Sequence, residues 1–142
     1  MAELLSAAGS FATEGERRAA EVLKQLPDAW LVICNKTLST SNGRSFEMDF
    51  VVVGKRWVFL LDEKSWRGRI RGNDEQWVRS DGSSERSPLA KVDYVTKVLA
   101  GHLNWRIPAL KEALIMFVVV YCSPQLISGL SFLIHEQQMA FS

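Results

Sequence analysis

Two runs of β-branched and aromatic residues, separated by a short glycine-containing turn, dominate the middle of the chain: residues 47–53 and residues 57–64. Such runs on either side of a turn predict a β-hairpin. A carboxylate stands at one end of each run, Asp49 in the first and Asp62 in the second. Because hairpin strands are antiparallel, these two ends are neighbours in space. We therefore expect Asp49 to approach Asp62 and Lys64.

The chemistry of this strand end points to a bound cation. Side chains alternate across a strand, which places Asp62 and Lys64 on one face and Glu63 on the other. Two carboxylates at the margin of an apolar sheet repel each other and lose hydration, so a positive charge is expected between them. Mg²⁺ prefers hard oxygen ligands and keeps several waters. We predict a Mg²⁺ site formed by Asp49, Asp62 and the backbone carbonyl of Glu63, with Lys64 beside it to orient a water or contact a phosphate oxygen.

A helix is predicted over residues 13–26, ahead of the hairpin. Thr13 and Glu16 have the spacing of a capping box, and Pro27 ends the element. Glu16 is the one acid on the apolar stripe of this helix. Two interpretations stay open: Glu16 only caps the helix, or it is also a further acid near the metal. Both hold together if the N-terminus of the helix abuts the site.

Basic residues are concentrated in residues 55–71. Six basic residues stand there against the acids Asp62 and Glu63, a local surplus of four. Such a surplus attracts a phosphate backbone. The alternative is a solvated edge strand whose arginines prevent aggregation. Besides Lys64, the candidate nucleic-acid-binding residues are Lys55, Arg56, Arg67, Arg69 and Arg71.

The remaining elements are read from apolar periodicity and turn residues. Strands are predicted at residues 29–35 and 75–79, and residues 80–87 are predicted as a loop. Pro88 opens a second helix that runs to about residue 104, on which we favour a surface position for Lys91. The unbroken apolar run at 114–121 predicts a central strand covered on both faces. Together these elements predict an α/β sandwich with a mixed sheet.

Composition bounds the class of protein. With 142 residues, 47% of them hydrophobic, the chain is expected to form one domain over residues 1–142. A net charge of +1 gives no global argument for a nucleic-acid partner. Cys34 and Cys122 lie in apolar runs and are interpreted as reduced core thiols of a cytoplasmic protein. The longest apolar run, residues 113–122, is about half the length that a bilayer span needs, and no signal peptide is visible, so no membrane association is expected.

At the hairpin the sequence resembles a known family. Asp49, followed after twelve residues by Asp62-x-Lys64, is similar to the D…(D/E)xK pattern of restriction-endonuclease-like nucleases. The wider run resembles the nuclease-related domain, NERD, over roughly residues 10–122. The stretches that carry this resemblance are Thr13-Glu14-Gly15-Glu16, residues 26–30, residues 64–70, Gln76-Trp77 and Ser87-Pro88. The sequence departs from the family in Asp62, where glutamate is usual, and in Lys91, where glutamine is frequent.

The resemblance implies a restriction-endonuclease-like three-layer sandwich with an αβββαβ core and a mixed β-sheet flanked by helices. It implies a Mg²⁺-dependent nuclease that hydrolyses phosphodiester bonds of DNA, with Mn²⁺ as an expected substitute. Glu16, Asp49, Asp62 and Lys64 would be the catalytic residues. The core would span about residues 10–122, with residues 123–142 as a truncated extension or a natural tail.

Two other functions stay open at this point. One is a nucleic-acid or protein binding module that has kept the fold and lost turnover, an accessory domain fused to or associated with larger DNA-processing proteins. The other is a purely structural domain attached to a helicase or kinase in a longer polypeptide. The choice between DNA and RNA, endonucleolytic or exonucleolytic cleavage, and the oligomeric state are set by loops that the sequence does not determine.

Overall fold

The structure, a computed structural model, describes residues 1–6, 11–55, 57–64, 66, 69–73 and 75–108, together with the backbone of residues 114–121. Ten elements lie within these residues. In chain order they are β1 (Glu3–Leu5), α1 (Glu14–Leu23), β2 (Leu31–Ser39), β3 (Ser45–Val53), β4 (Trp57–Lys64), β5 (Ile70–Gly72), β6 (Gln76–Arg79), β7 (Ser84–Arg86), α2 (Pro88–Arg106) and β8 (Leu114–Tyr121). Neither described helix is long and apolar enough to cross a membrane.

The main sheet has five strands in the order β1-β2-β3-β4-β8. Its two outer pairings, β1 with β2 and β4 with β8, are parallel, whereas β2–β3 and β3–β4 are antiparallel. The predicted mixed α/β organisation is therefore confirmed. Strands β1 and β7 were not predicted, and β7 occupies part of the stretch predicted as a loop.

The position of β8 differs from the prediction of a central strand. Among the residues that the structure describes, β8 pairs with β4 alone and so ends the sheet order. An unbroken apolar run reports that both faces of a strand are covered, and it carries no information about neighbours along the edges. The prediction treated burial of both faces as evidence for a central position in the sheet.

Two hydrophobic clusters lie on opposite faces of the main sheet, each under one helix. The first cluster joins α1 to the inward side chains of β2, β3 and β4, and the second joins α2 to the alternate residues of the same strands. Cluster one includes Ala19, Ala20, Leu23, Val32, Cys34, Phe50, Val52, Phe59 and Leu61. Cluster two includes Met48, Val51, Leu60, Val92, Val95 and Leu99. The α1 and α2 helices thus sandwich the sheet.

The alternation of side chains reverses in the middle of β2 and β3. Met48 and Phe50 are two residues apart, yet Met48 packs under α2 and Phe50 under α1. The ladder between β2 and β3 lacks one pair there, the pair of Asn35 with Asp49, and the register is the same on both sides of the gap. Asn35 has φ 51°, in the left-handed region that asparagine tolerates better than most residues. This local turn of the backbone flips the faces and places Asp49 at the reversal.

A second, smaller sheet of β5, β6 and β7 packs beside the end of β4. Its link to the main body is Trp66, which is 9% exposed and makes an edge contact with Trp77 of β6 at 5.8 Å between ring centroids. The Arg79 guanidinium lies 4.7 Å from the centre of the Trp66 ring and forms an ion pair with Glu85 of β7. Trp66 therefore links the small sheet to the strand end where the acids lie.

Candidate active site at the ends of β3 and β4

The β3–β4 ladder ends at the pair of Phe50 with Leu61, and Asp49 and Asp62 are the next residues on the two strands. Beyond that pair, the backbone N–H of Glu63 donates to Oδ2 of Asp49 at 2.8 Å instead of to a backbone carbonyl of β3. The interrupted ladder thus turns the Asp49 carboxylate toward the end of β4. The two aspartates meet there, as the hairpin pattern predicts.

Burial dominates the electrostatics of Asp49. Burial raises the pKa of Asp49 to about 7, helped by a hydrogen bond with the Asp62 carboxyl group and by the negative charges of Asp62 and Glu16. The hydrogen bond from the Glu63 amide acts in the opposite direction but is outweighed. The site holds more negative charge than its surroundings stabilise.

Asp62 is the more deeply buried of the two acids, at 6% exposure. Its Oδ2 receives no hydrogen bond from the part of the chain that the structure describes. Nζ of Lys64 lies 3.1 Å from this oxygen, so the two form an ion pair without hydrogen-bond geometry. Lys64 follows Asp62 on the same face of β4, and Glu63 points to the other face, as alternation predicts.

The donor set fits a magnesium ion held mainly by water. Within the described residues, no three His, Cys, Asp or Glu side chains converge on one point. The protein would instead offer two carboxylates and the backbone carbonyl of Glu63. Mg²⁺ is commonly bound through one or two carboxylates with waters in the remaining positions. A buried carboxylate oxygen without a hydrogen bond is a group that such a cation would satisfy.

The N-terminus of α1 abuts the site from the other face of the sheet. Thr13 is the N-cap, and its Oγ1 accepts from the backbone N–H of Glu16 at 3.1 Å. The same hydroxyl donates to Oε2 of Glu63 at 3.4 Å, which ties the helix to β4. Glu16 accepts from the backbone N–H of Ala12 at 2.8 Å. Glu16 therefore caps the helix and also lies close enough for its charge to raise the pKa of Asp49. Its part in a metal site stays a prediction.

Lys91 of α2 lies closer to the acids than its predicted surface position implied. It is exposed, as expected, but it also lines a shallow recess together with Asp49 and Asp62. The helix repeat could not reveal this, because Lys91 reaches the acids only through the way α2 packs on the sheet. Asn35 is a second residue that the sequence analysis left without a role. Asparagine inside a strand pattern is unusual, and that signal was available.

The structure separates the candidate basic residues. Lys55 is exposed in the turn between β3 and β4, at the end of the hairpin opposite to the aspartates and about 15 Å from them along the strands. Arg69 and Arg71 are exposed at the start of the small sheet. Arg56 and Arg67 lie outside the described residues, as does Cys122. Of the predicted catalytic group, Asp49, Asp62, Lys64 and Glu16 are gathered at one strand end.

Fold and site together define a class: a mixed α/β domain with a half-buried aspartate, a buried aspartate and a lysine where two adjacent strands end. The sequence matches the family model of the nuclease-related domain, NERD, over residues 12–122. The chain belongs to this family. A curated relative named "Probable kinase PglW", from Streptomyces coelicolor, is 32% identical over 97 residues, which cover 63% of this chain and 6% of that protein. The chain thus spans a small fraction of that relative's length. No solved structure matches the chain.

Proposed function

We propose that this protein is a Mg²⁺-dependent nuclease that hydrolyses phosphodiester bonds of DNA. The observation that carries the proposal is the meeting of Asp49, Asp62 and Lys64 at the adjoining ends of β3 and β4. Their pattern is that of restriction-endonuclease-like nucleases, and membership of the NERD family supports the same chemistry.

The order of elements supports a restriction-endonuclease-like core. Without β1 and the small sheet, the described elements run α1, β2, β3, β4, α2, β8, which is the order αβββαβ. The two helices cover opposite faces of the sheet. In this interpretation β1 is an addition at one edge, and β5–β7 form an insertion between β4 and α2.

Each residue has a distinct task in the proposed reaction. Asp49, Asp62 and the Glu63 carbonyl would hold the metal, which when bound makes a water more acidic and neutralises charge on the phosphate. The Lys64 ammonium would orient the attacking water or contact a phosphate oxygen. The N-cap contact from Thr13 to Glu63 holds the strand end in place, and Glu16 would orient a water on the α1 side.

Cleavage assays with plasmid and single-stranded DNA, in Mg²⁺, Mn²⁺ or EDTA, test the proposal. We expect cleavage that requires the metal, and a loss of at least about 100-fold in Asp49→Ala and in Lys64→Ala. Asp28→Ala and Lys97→Ala are matched controls, because both residues are exposed and distant in sequence from the site. Cleavage that persists in both site variants would end the assignment.

Calorimetry with Mg²⁺ separates the roles of the acids and the lysine. Asp62→Ala should lose metal binding, because one of the two carboxylate ligands is gone, whereas Lys64→Ala should keep it. A wild-type protein that binds no divalent cation would contradict the proposed metal site.

A second candidate is an accessory nucleic-acid-binding domain without turnover. The relative named as a kinase favours it, because the matching segment is a small part of a much longer protein. Such a domain would bind DNA with a log-linear dependence on salt that metal leaves unchanged. In either case we place the protein in the cytoplasm, where a free buried thiol such as that of Cys34 stays reduced.

A further inference from the structure

A cleft of about 590 Å³ lies next to the pair of aspartates. Its walls come from the turn between β2 and β3, the end of β4, strand β7 and the first turns of α2. Lys91 lines both this cleft and the recess that contains Asp49 and Asp62, so the two spaces adjoin. The volume falls in the range of about 300–1000 Å³ that is usual for small-ligand sites.

The described walls of the cleft carry a surplus of positive charge. Four cationic side chains line it: Arg44, Lys64, Arg86 and Lys91. The one carboxylate among the described lining residues is Glu85, and the guanidinium of Arg79 pairs with it. Three of the four cations have no ion pair with a described residue, since Lys64 alone is paired, with Asp62. The charge of the cleft therefore favours an anionic ligand.

An aromatic ring stands exposed inside this cationic cleft. Tyr94 is 46% exposed, although its neighbour Val95 on the same helix is buried. Phe46 supports the ring from β3 with an edge contact at 5.4 Å between centroids and 64° between planes. An exposed aromatic ring among cations is the arrangement on which unpaired bases stack. In a duplex the faces of the bases are covered by their neighbours and cannot stack in this way.

We propose that this cleft binds an unpaired strand of nucleic acid, with a base stacked on Tyr94 and phosphates on Arg44, Arg86 and Lys91. The strand would then pass Lys91 to reach the aspartates. The claim about the substrate rests on the proposed nuclease function, whereas the claim about binding does not. The preferred substrate is accordingly a single strand, or a locally melted or overhanging end, and not an intact duplex.

Fluorescence anisotropy with the 142-residue chain in EDTA tests binding without cleavage. The probes are a labelled single strand of DNA, its RNA counterpart and a DNA duplex of the same length. We expect a single strand of either kind to bind more tightly than the duplex. Tyr94→Ala should weaken single-strand binding by about 5- to 150-fold, the range measured for base–aromatic stacking, and Tyr94→Phe should keep it.

The electrostatic part has its own variant and control. Arg86→Ala should reduce the slope of log affinity against log salt by about 0.7, the value for one phosphate contact to a single strand. Trp105→Ala and Arg106→Ala are the controls, since both residues lie at the other end of α2, about 27 Å from its start. Neither control should change affinity.

Several outcomes would overturn the assignment. They are tighter binding of the duplex, unchanged single-strand affinity in Tyr94→Ala, or equal competition by an acidic peptide, which would indicate a protein partner. A failure of the binding proposal can be told apart from a failure of the nuclease proposal. Single-strand binding without cleavage would contradict the nuclease proposal and leave the binding proposal standing. Cleavage that is unaffected by Tyr94→Ala would contradict the binding proposal and leave the nuclease proposal standing.

Discussion

Opposing electrostatic effects act on the Asp49 carboxylate. It ends an apolar strand segment, lies beside a second buried acid, and accepts a backbone hydrogen bond that alone does not offset its burial. The raised pKa of Asp49 means that its negative charge is poorly stabilised without a cation. Proton and metal should therefore compete for the same group.

We predict that the metal-free protein loses stability as the pH rises from about 4 to about 7. The pKa of Asp49 is raised from 3.8 to about 7, so within this window the folded state keeps a proton that the unfolded state has released. The stabilisation is complete below the lower value and is lost as the pH passes the upper one. The measurement is the free energy of unfolding by denaturant in EDTA, compared between the wild type and Asp49→Asn.

The difference in the free energy of unfolding between the wild type and Asp49→Asn should level off above the upper pKa of Asp49. In that range, Mg²⁺ should stabilise only the wild type, by mass action. A wild-type curve parallel to that of Asp49→Asn across the whole window would show that Asp49 does not carry the shift.

Among the elements, β2 and β3 have the most unusual construction. In a regular strand, Met48 and Phe50 would share one face, yet they pack under different helices. The left-handed backbone of Asn35 on the neighbouring strand reverses the faces at this point. The reversal beside Asp49 thus coincides with an unusual backbone conformation on another strand, fourteen positions earlier.

We predict that Asn35→Gly is tolerated and that Asn35→Val is not. Glycine adopts positive φ freely, whereas an ordinary side chain there is destabilised by about 1–2 kcal/mol. Denaturant unfolding of the two variants measures the difference, and equal stability in them would contradict the need for a positive φ at this position.

At the scale of the whole molecule, Trp66 connects the small sheet to the end of the main sheet where Asp49 and Asp62 lie. The three-stranded sheet has short strands and few buried residues of its own. Its described aromatic anchor is the contact of Trp77 and Arg79 with Trp66. Since Arg86 and Glu85 of this sheet form one wall of the cleft, the anchor also shapes the proposed binding site.

We predict that Trp66→Ala lowers the free energy of unfolding by about 3–5 kcal/mol, as expected for the truncation of a buried tryptophan. Amide exchange should accelerate most in β5–β7, because these strands lose their anchor. Trp105→Ala, at an 81% exposed position, is the control and should stay within about 0.5 kcal/mol of the wild type. Exchange that is unchanged in β5–β7 would show that another contact holds the small sheet.

Much of the local design follows from the sequence. The hairpin, the Thr13 cap with Glu16, the second helix and the placement of Asp62 and Lys64 opposite to Glu63 all follow from residues within a few positions of one another. Such features depend on turn chemistry, capping and the two-residue period of a strand, which act over short distances.

The tertiary structure decided how those pieces face one another. Met48 and Phe50 pack under different helices because the strand faces reverse beside Asn35. Lys91 and Tyr94 lie near the aspartates because of the way α2 packs on the sheet. The place of β8 at the end of the described sheet was likewise invisible, since hydrophobic composition reports which faces are buried and not which edges are paired. The sequence by itself determined which chemical groups this strand end carries. Only packing between elements distant in sequence determined which groups share its site, because their relative rotation is set by side chains that meet only in the folded state.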